Sequence, residues 1–134
     1  MEYSDLVVWQ KAMSLVTEVY KITATFPNEE RFGLVSQVRR AAVSIPSNIA
    51  EGHGRKSTGA YLNHLSIAYG SLMELETQTQ IATRLNFIQE DNATALLNKM
   101  DEIGKRAPLK IQTPSRCCVA PKILTLTYQT YAAR

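Results

Sequence analysis

The sequence predicts an all-α fold: an antiparallel up-and-down four-helix bundle with a second helix kinked at Pro46 and an irregular C-terminal tail. Apolar residues recur at three- and four-residue steps in four segments, which is the period of an α-helix. Turn-forming residues separate these segments, as at Pro27, Gly52 and Asn86. Because the connections are short, consecutive helices are expected to pack side by side in opposite directions.

Composition and length favour one globular domain. Hydrophobic residues make up 45% and charged residues 20% of the 134 positions, which is ordinary for such a domain. No apolar run approaches the ~20 residues that span a bilayer, and the acidic N-terminus is unlike a secretory signal. The two cysteines, Cys117 and Cys118, are adjacent, which suits neither a disulfide framework nor a zinc site. We therefore expect a cytoplasmic protein without membrane association.

The first helix is expected to begin at Ser4, a residue type that caps helices. It should end at Phe26, since the residue before a proline avoids helical geometry. Its predicted buried stripe is Leu6, Trp9, Ala12, Met13, Val16, Val19, Tyr20 and Thr23.

The second helix is expected to run from about Asn28 or Glu29 to the Gly52-His53-Gly54 segment. Pro46 removes one backbone donor and crowds the carbonyl of Ala42, which predicts the kink. Ser44 and Ser47 can donate to the carbonyls freed there. The predicted buried stripe is Leu34, Val38, Ala41, Ala42, Ile45 and Ile49.

The third helix, capped by Ser57, carries two stripes that need burial. The first is Tyr61, Leu65, Ala68, Leu72, Leu75, Thr79 and Ala82, and the second contains Ile67, Ser71, Glu74, Gln78 and Ile81. A single bundle can cover only one of them. The second stripe is therefore predicted to be an interface between copies of the chain, with Gly70 allowing close approach.

The fourth helix is expected from about Gln89 through Leu96, Leu97, Met100 and Ile103, which completes a bundle over residues 1–107. Residues 108–134 are predicted to be an irregular basic tail. Residues 1–102 hold 9 Lys and Arg against 12 Asp and Glu, whereas the remaining 32 hold six basic residues and no acid. The basic character of the chain therefore belongs to its end.

Several motifs resemble a known family. They are Leu6-Val7-Val8-Trp9, Phe26-Pro27-Asn28-Glu29-Glu30, Gly33-Leu34, Gln37 to Arg40, Ser44 to Gly52, and Ile67 to Glu76. In this order they are similar to the 23S ribosomal RNA intervening-sequence proteins over about residues 5–105. The resemblance implies a bacterial, cytosolic four-helix bundle that assembles as a homopentamer.

The family resemblance also carries expectations about function. Genes of this family are often found within insertions in the large ribosomal RNA, and a relative is the accessory protein of diversity-generating retroelements, which resembles a module that binds RNA and reverse transcriptase. The family has no established enzymatic activity. The chain departs from the family after Gly104-Lys105, where Pro108 interrupts helix four, and a change of reading frame would explain the tail.

Arg39, Arg40, Arg55 and Lys56 are the candidate nucleic-acid-binding residues of the bundle, because arginine donates paired hydrogen bonds to phosphate. The favoured alternative is that they form ion pairs. These would join Arg39 or Arg40 to Glu74 or Glu76, and Arg55 to Glu51. The sequence shows no aromatic residues interleaved with these cations of the kind that stack on bases.

No catalytic, cofactor or metal site is predicted, and no small-molecule substrate is evident. His53 and His64 lack the Glu-x-x-His spacing of a di-iron bundle. Ser44, Ser47 and Asn48 have no base placed beside them by any motif. We therefore expect a non-enzymatic, self-assembling bundle that binds RNA or a ribonucleoprotein. The alternative is a protein-interaction scaffold that does not bind nucleic acid.

Overall fold

The computed structural model describes residues 2–106, and the predicted tail lies outside the described residues. The elements are a 3₁₀ turn at Tyr3–Asp5, α1 Val7–Thr23, a 3₁₀ turn at Asn28–Glu30, α2 Leu34–His53, α3 Thr58–Arg84 and α4 Glu90–Arg106. Residues 2–106 contain no strand. The all-α, four-helix fold is thus confirmed, while the division at residue 107 stays a prediction.

The first two helices begin later than predicted. Asp5 belongs to a 3₁₀ turn, in which its carboxylate accepts a hydrogen bond of 3.0 Å from the backbone N–H of Glu2. Asn28–Glu30 forms the second such turn, and the Glu30 carboxylate accepts from the N–H of Leu34 at 3.0 Å. This bond satisfies a donor at the start of α2. The predicted starts at Ser4 and at Asn28 or Glu29 were therefore wrong.

One hydrophobic core joins all four helices. Its fully buried large side chains include Leu15, Val19, Ile45, Leu72, Leu75, Met100 and Ile103. The stripes predicted for α2, α3 and α4 point into this core, and the predicted Ala12, Val19 and Thr23 of α1 are buried as well. The prediction for α1 was wrong at three positions. Leu15 is fully buried, while Met13 and Tyr20 are exposed.

Contacts between helices follow the order that antiparallel neighbours give. Asn48 of α2 meets His64 of α3, and Ser44, four residues earlier, meets Ser71, seven residues later. Lys11 of α1 likewise forms an ion pair of 2.8 Å with Glu102 near the end of α4. The hydrogen bond from Lys11 lowers the pKa of the Glu102 carboxyl.

α2 continues as a helix through Pro46. Because proline has no N–H, the carbonyl of Ala42 loses its usual helical partner. Ser44 and Ser47 were predicted to donate to the carbonyl that Pro46 frees, but neither hydroxyl does so. Ser47 Oγ donates to the carbonyl of Val43 at 2.8 Å, and Ser44 Oγ accepts from Ser71 Oγ at 2.8 Å across the helix pair. The kink at Pro46 stays a prediction.

α2 and α3 pack closely near the end of α2. A Cβ atom on Gly52 would lie 3.1 Å from His64 Cβ and 3.4 Å from Tyr61 Cδ2. A side chain at this position would force His64 or Tyr61 to shift, so glycine favours the close packing. The following turn leads to Ser57, whose Oγ accepts the N–H of Ala60 at 3.2 Å, so the predicted cap of α3 is confirmed.

Candidate nucleic-acid interface

The four predicted cations occupy two separate places. Arg39 and Arg40 lie in the first half of α2, whereas Arg55 and Lys56 follow its C-terminus. Fifteen residues of helix correspond to roughly 20 Å along the axis. The two pairs therefore do not form one continuous rim within the chain.

Arg39 is held by the end of α1. Its Nε donates to Thr23 Oγ1 at 2.9 Å, and Thr23 in turn donates to the carbonyl of Val19 at 2.8 Å. The guanidinium carbon lies 4.5 Å from the ring centroid of Tyr20, within the range of a cation–π contact. These contacts occupy one N–H donor and fix the plane of the guanidinium. Its terminal N–H groups remain available to a ligand.

A cleft of about 660 Å³ lies where α1, the turn before α2, and α2 meet. We call it the arginine cleft. It is lined by Tyr20, Arg31, Phe32, Val35, Ser36, Arg39, Arg40, Val43 and Ser44. Three of these nine residues are arginines and none is acidic, so the lining carries a concentrated positive charge.

The arginines of the cleft form no ion pair with a described carboxylate, whereas most other cations of the bundle do. Among residues 2–106, Arg31, Arg39 and Arg40 have no carboxylate within 4.0 Å. Ion pairs elsewhere in the bundle join Lys11 and Arg106 to Glu102, Lys99 to Glu18, Lys105 to Asp101, and Arg55 to Glu51. The cations of the arginine cleft are therefore not neutralised within the described part of the chain.

The ion pair predicted for Arg55 is present, whereas residues 2–106 contain none between Arg39 or Arg40 and Glu74 or Glu76. Arg55 lies 4.0 Å from Glu51, as expected from their spacing of four. Arg40 and Glu74 line a common cavity of about 350 Å³, yet residues 2–106 contain no ion pair between them. A pair between subunits stays a prediction.

Two aromatic side chains stand beside the arginines, which the sequence had not indicated. Phe32 is 89% exposed, and the guanidinium carbon of Arg31 lies 5.5 Å from its ring centroid. Tyr20 reaches the cleft from α1, nineteen positions before Arg39. The feature of the sequence that could have indicated this arrangement is the adjacent pair Arg31-Phe32, which lies in a turn rather than on a helix face.

Arg55 belongs to a polar network at the far end of α2. Its Nε donates to His64 Nε2 at 3.2 Å, and His64 Nδ1 lies 3.1 Å from Asn48 Oδ1. Asn48 Nδ2 donates in turn to Ser44 Oγ at 3.1 Å. These bonds tie α2 to α3, so the guanidinium of Arg55 already has a structural role. No such role is evident for Lys56, which is exposed.

The predicted interface stripe divides into buried and exposed members. Ser71 and Gln78 are buried inside the chain, where Ser71 donates to Ser44 and Gln78 Nε2 donates to Glu74 Oε1 at 3.0 Å. Ile67 and Ile81 are 45% and 43% exposed, and Glu74 is exposed as well. The apolar surface available to a second copy is thus centred on the two isoleucines.

The rest of the described chain adds no clustered chemistry. Within residues 2–106, no three side chains of His, Cys, Asp or Glu come together as metal ligands would. Ser44 and Asn48 are engaged in the network between α2 and α3. Among the described helices, none combines the length and the apolar character needed to cross a bilayer.

These features define the class as an all-α four-helix bundle with an arginine-lined cleft at one end of its second helix. The family model of the 23S rRNA-intervening sequence protein matches residues 4–107. The chain belongs to this family, so the resemblance seen in its motifs is confirmed.

A solved structure supports the same fold. It is a protein of unknown function from the S23 ribosomal protein family of Bacteroides thetaiotaomicron VPI-5482, with a TM-score of 0.71 and 25% sequence identity. The match covers 80% of this chain and 95% of the other. The comparison with curated proteins gives no match.

Proposed function

We propose that the protein is a non-enzymatic, cytoplasmic helical bundle that self-assembles and binds RNA or a ribonucleoprotein through the arginine cleft. The observation that carries this proposal is the group of three arginines that line one cleft, with no carboxylate of residues 2–106 within 4.0 Å of any of them. A polyanion supplies the missing negative charge. The family's connection with 23S ribosomal RNA makes RNA the favoured polyanion.

The geometry of Arg39 supports phosphate binding. Thr23 and Tyr20 already fix its side chain, so less conformational entropy is lost when it binds a ligand. Its terminal nitrogens can donate two parallel hydrogen bonds to one phosphate. Arg40 is exposed beside it and can contact a neighbouring phosphate of the same strand.

Salt dependence tests the role of the cleft. Each phosphate contact on a single strand contributes about 0.7 to the slope of log affinity against log salt concentration. The double substitution Arg39→Ala and Arg40→Ala is therefore expected to reduce that slope by about 1.4. It should also weaken RNA binding about tenfold or more at 0.1 M salt. Fluorescence anisotropy with a labelled RNA measures both quantities.

The matched control removes the same charge from the other end of α2. Arg55→Ala with Lys56→Ala is expected to change RNA affinity less, because Arg55 is engaged by Glu51 and His64. Circular dichroism checks that both double variants remain helical. Equal losses in the two would contradict the cleft as the binding site. Absence of binding at low salt would contradict RNA binding itself.

Self-assembly is supported by apolar surface on two different faces. Ile67 and Ile81 are exposed on α3, while Tyr3 and Met13 are exposed in a groove outside the arginine cleft. Contacts between two unlike faces are heterologous, and they close into a ring when the rotation between subunits allows it. Together with the family resemblance, this favours a homo-oligomer, specifically a ring of five.

Charge on the α3 surface is expected to dissociate the assembly. Ile67→Glu with Ile81→Glu should reduce the mass in light scattering from a multiple of the 15.0 kDa chain towards that of one chain. Leu62→Glu with Gln80→Glu adds the same charge at exposed positions on another side of α3 and should leave the mass unchanged. A wild-type protein with the mass of one chain at micromolar concentration would contradict self-assembly.

The second candidate is a protein-interaction scaffold without nucleic-acid contact. The exposed apolar residues of α3 favour it, since such patches mark protein interfaces. The salt titration separates the candidates, because the scaffold has no affinity for RNA to lose.

A further inference from the structure

We infer that the arginine cleft recognises unpaired RNA, with the ring of Phe32 stacking on a base while the arginines hold the flanking phosphates. The inference rests on the proposed function and specifies its substrate class. A phenylalanine ring that is 89% exposed leaves nearly all of its apolar surface in water. Because the ring lines the arginine cleft, a ligand bound in the cleft would cover it.

The surroundings of Phe32 favour a base as that ligand. Arg31 places a guanidinium 5.5 Å from the ring centroid. Every base presents a π-face that can stack on an aromatic ring, and arginine planes stack on bases in the same way. The adjacent positive charge, supplied by Arg39 and Arg40, suits a base that is still attached to its phosphates. An uncharged apolar partner would gain nothing from that charge.

The dimensions of the cleft suit a short strand. From Leu34 to Arg40, α2 rises by about 9 Å. This corresponds to two or three bases at about 3.4 Å per step in a stacked strand. One base on Phe32 and a phosphate near Arg39 therefore fit within the arginine cleft, which both residues line.

Duplex RNA cannot use Phe32 in this way. Its bases are paired and stacked on each other, and the major groove of an A-form helix is too deep and narrow for side chains to read. A duplex can offer the cleft only its phosphates and sugars. The contribution of Phe32 to affinity should therefore be specific to single strands.

The experiment is fluorescence anisotropy on the full chain with two probes. One is a labelled twelve-nucleotide RNA without self-complementarity, and the other is the same strand annealed to its complement. Phe32→Ala is expected to weaken single-strand binding about 5- to 100-fold, the range for loss of one stacked base. Duplex binding should change less than about twofold. Phe32→Tyr, which keeps the aromatic face, should retain single-strand affinity within about threefold.

A matched control is Val7→Ala, another exposed apolar side chain, which should alter neither affinity. The inference is overturned if Phe32→Ala changes the affinity for both probes equally, or changes neither affinity. The proposed function still stands in that case if the Arg39 and Arg40 variant binds both probes more weakly. If neither probe binds at low salt, both fail. If Phe32→Ala reduces the assembly mass in light scattering, the ring contacts another protein subunit and the inference is also overturned.

Discussion

Leu75→Ala is expected to lower the free energy of unfolding by about 2–5 kcal/mol, the range for truncation of a buried leucine. Leu75 lies in the middle of α3, is 0% exposed, and belongs to the core that joins all four helices. Its removal leaves a cavity that neighbours such as Leu15 and Leu72 cannot fill without moving. Denaturant unfolding followed by circular dichroism, at one fixed protein concentration, measures the change.

The same helix offers a control with the same chemistry. Leu62 is 38% exposed, so Leu62→Ala removes the same atoms from a position that is partly in water. Its cost should stay below about 1 kcal/mol. Similar losses at Leu62 and Leu75 would show that α3 is not packed against the core as described.

The stripes of α2, α3 and α4 could be predicted because each is apolar on one side and polar on the other. In α1 the prediction missed Leu15 and wrongly included Met13 and Tyr20, because apolar residues occur around most of the circumference of this helix. Met13, Leu15, Val16 and Tyr20 all qualify by residue type, and only the neighbouring helices decide that Leu15 is inside. Periodicity alone does not contain that information.

The start of α2 illustrates a second limit. Glu29 and Glu30 resemble the acidic first turn of a helix, which favours a second helix that begins at Asn28 or Glu29. The structure instead uses the Glu30 side chain as a cap for Leu34. This arrangement places Phe32 in a turn, and the exposure of its ring follows from that position.

The candidate site was predictable only in part. Arg39 and Arg40 could be identified because arginines suit phosphate, but the lack of partner carboxylates is a property of the folded chain. Tyr20 and Phe32 belong to segments separated along the sequence, and their meeting beside Arg39 depends on how α1 packs on α2. Arg55 matched the same chemical criterion, yet its bonds to Glu51 and His64 assign it a structural role.

Gly52→Leu is expected to destabilise the bundle by about 3 kcal/mol, at the upper end of the usual cost of overpacking. Gly52 is buried where α2 crosses α3, and even a methyl group there would meet His64 Cβ at 3.1 Å. A leucine must push the two helices apart. The shift should also break the bond between His64 and Asn48, which lies one turn earlier on α2. Thermal and denaturant unfolding measure the loss.

Gly70→Leu provides the matched control on α3. No atom of the described chain lies within 4 Å of a Cβ placed at Gly70, so leucine meets open space there. Because glycine is a poor helix former, this substitution should stabilise an isolated subunit by about 0.5–1 kcal/mol. Light scattering on the same sample separates this effect from assembly, since a leucine inside a close contact between subunits would lower the mass. Comparable destabilisation at Gly52 and Gly70 without a change in mass would contradict the described packing, because Gly52, unlike Gly70, lies where two helices of one chain come into contact.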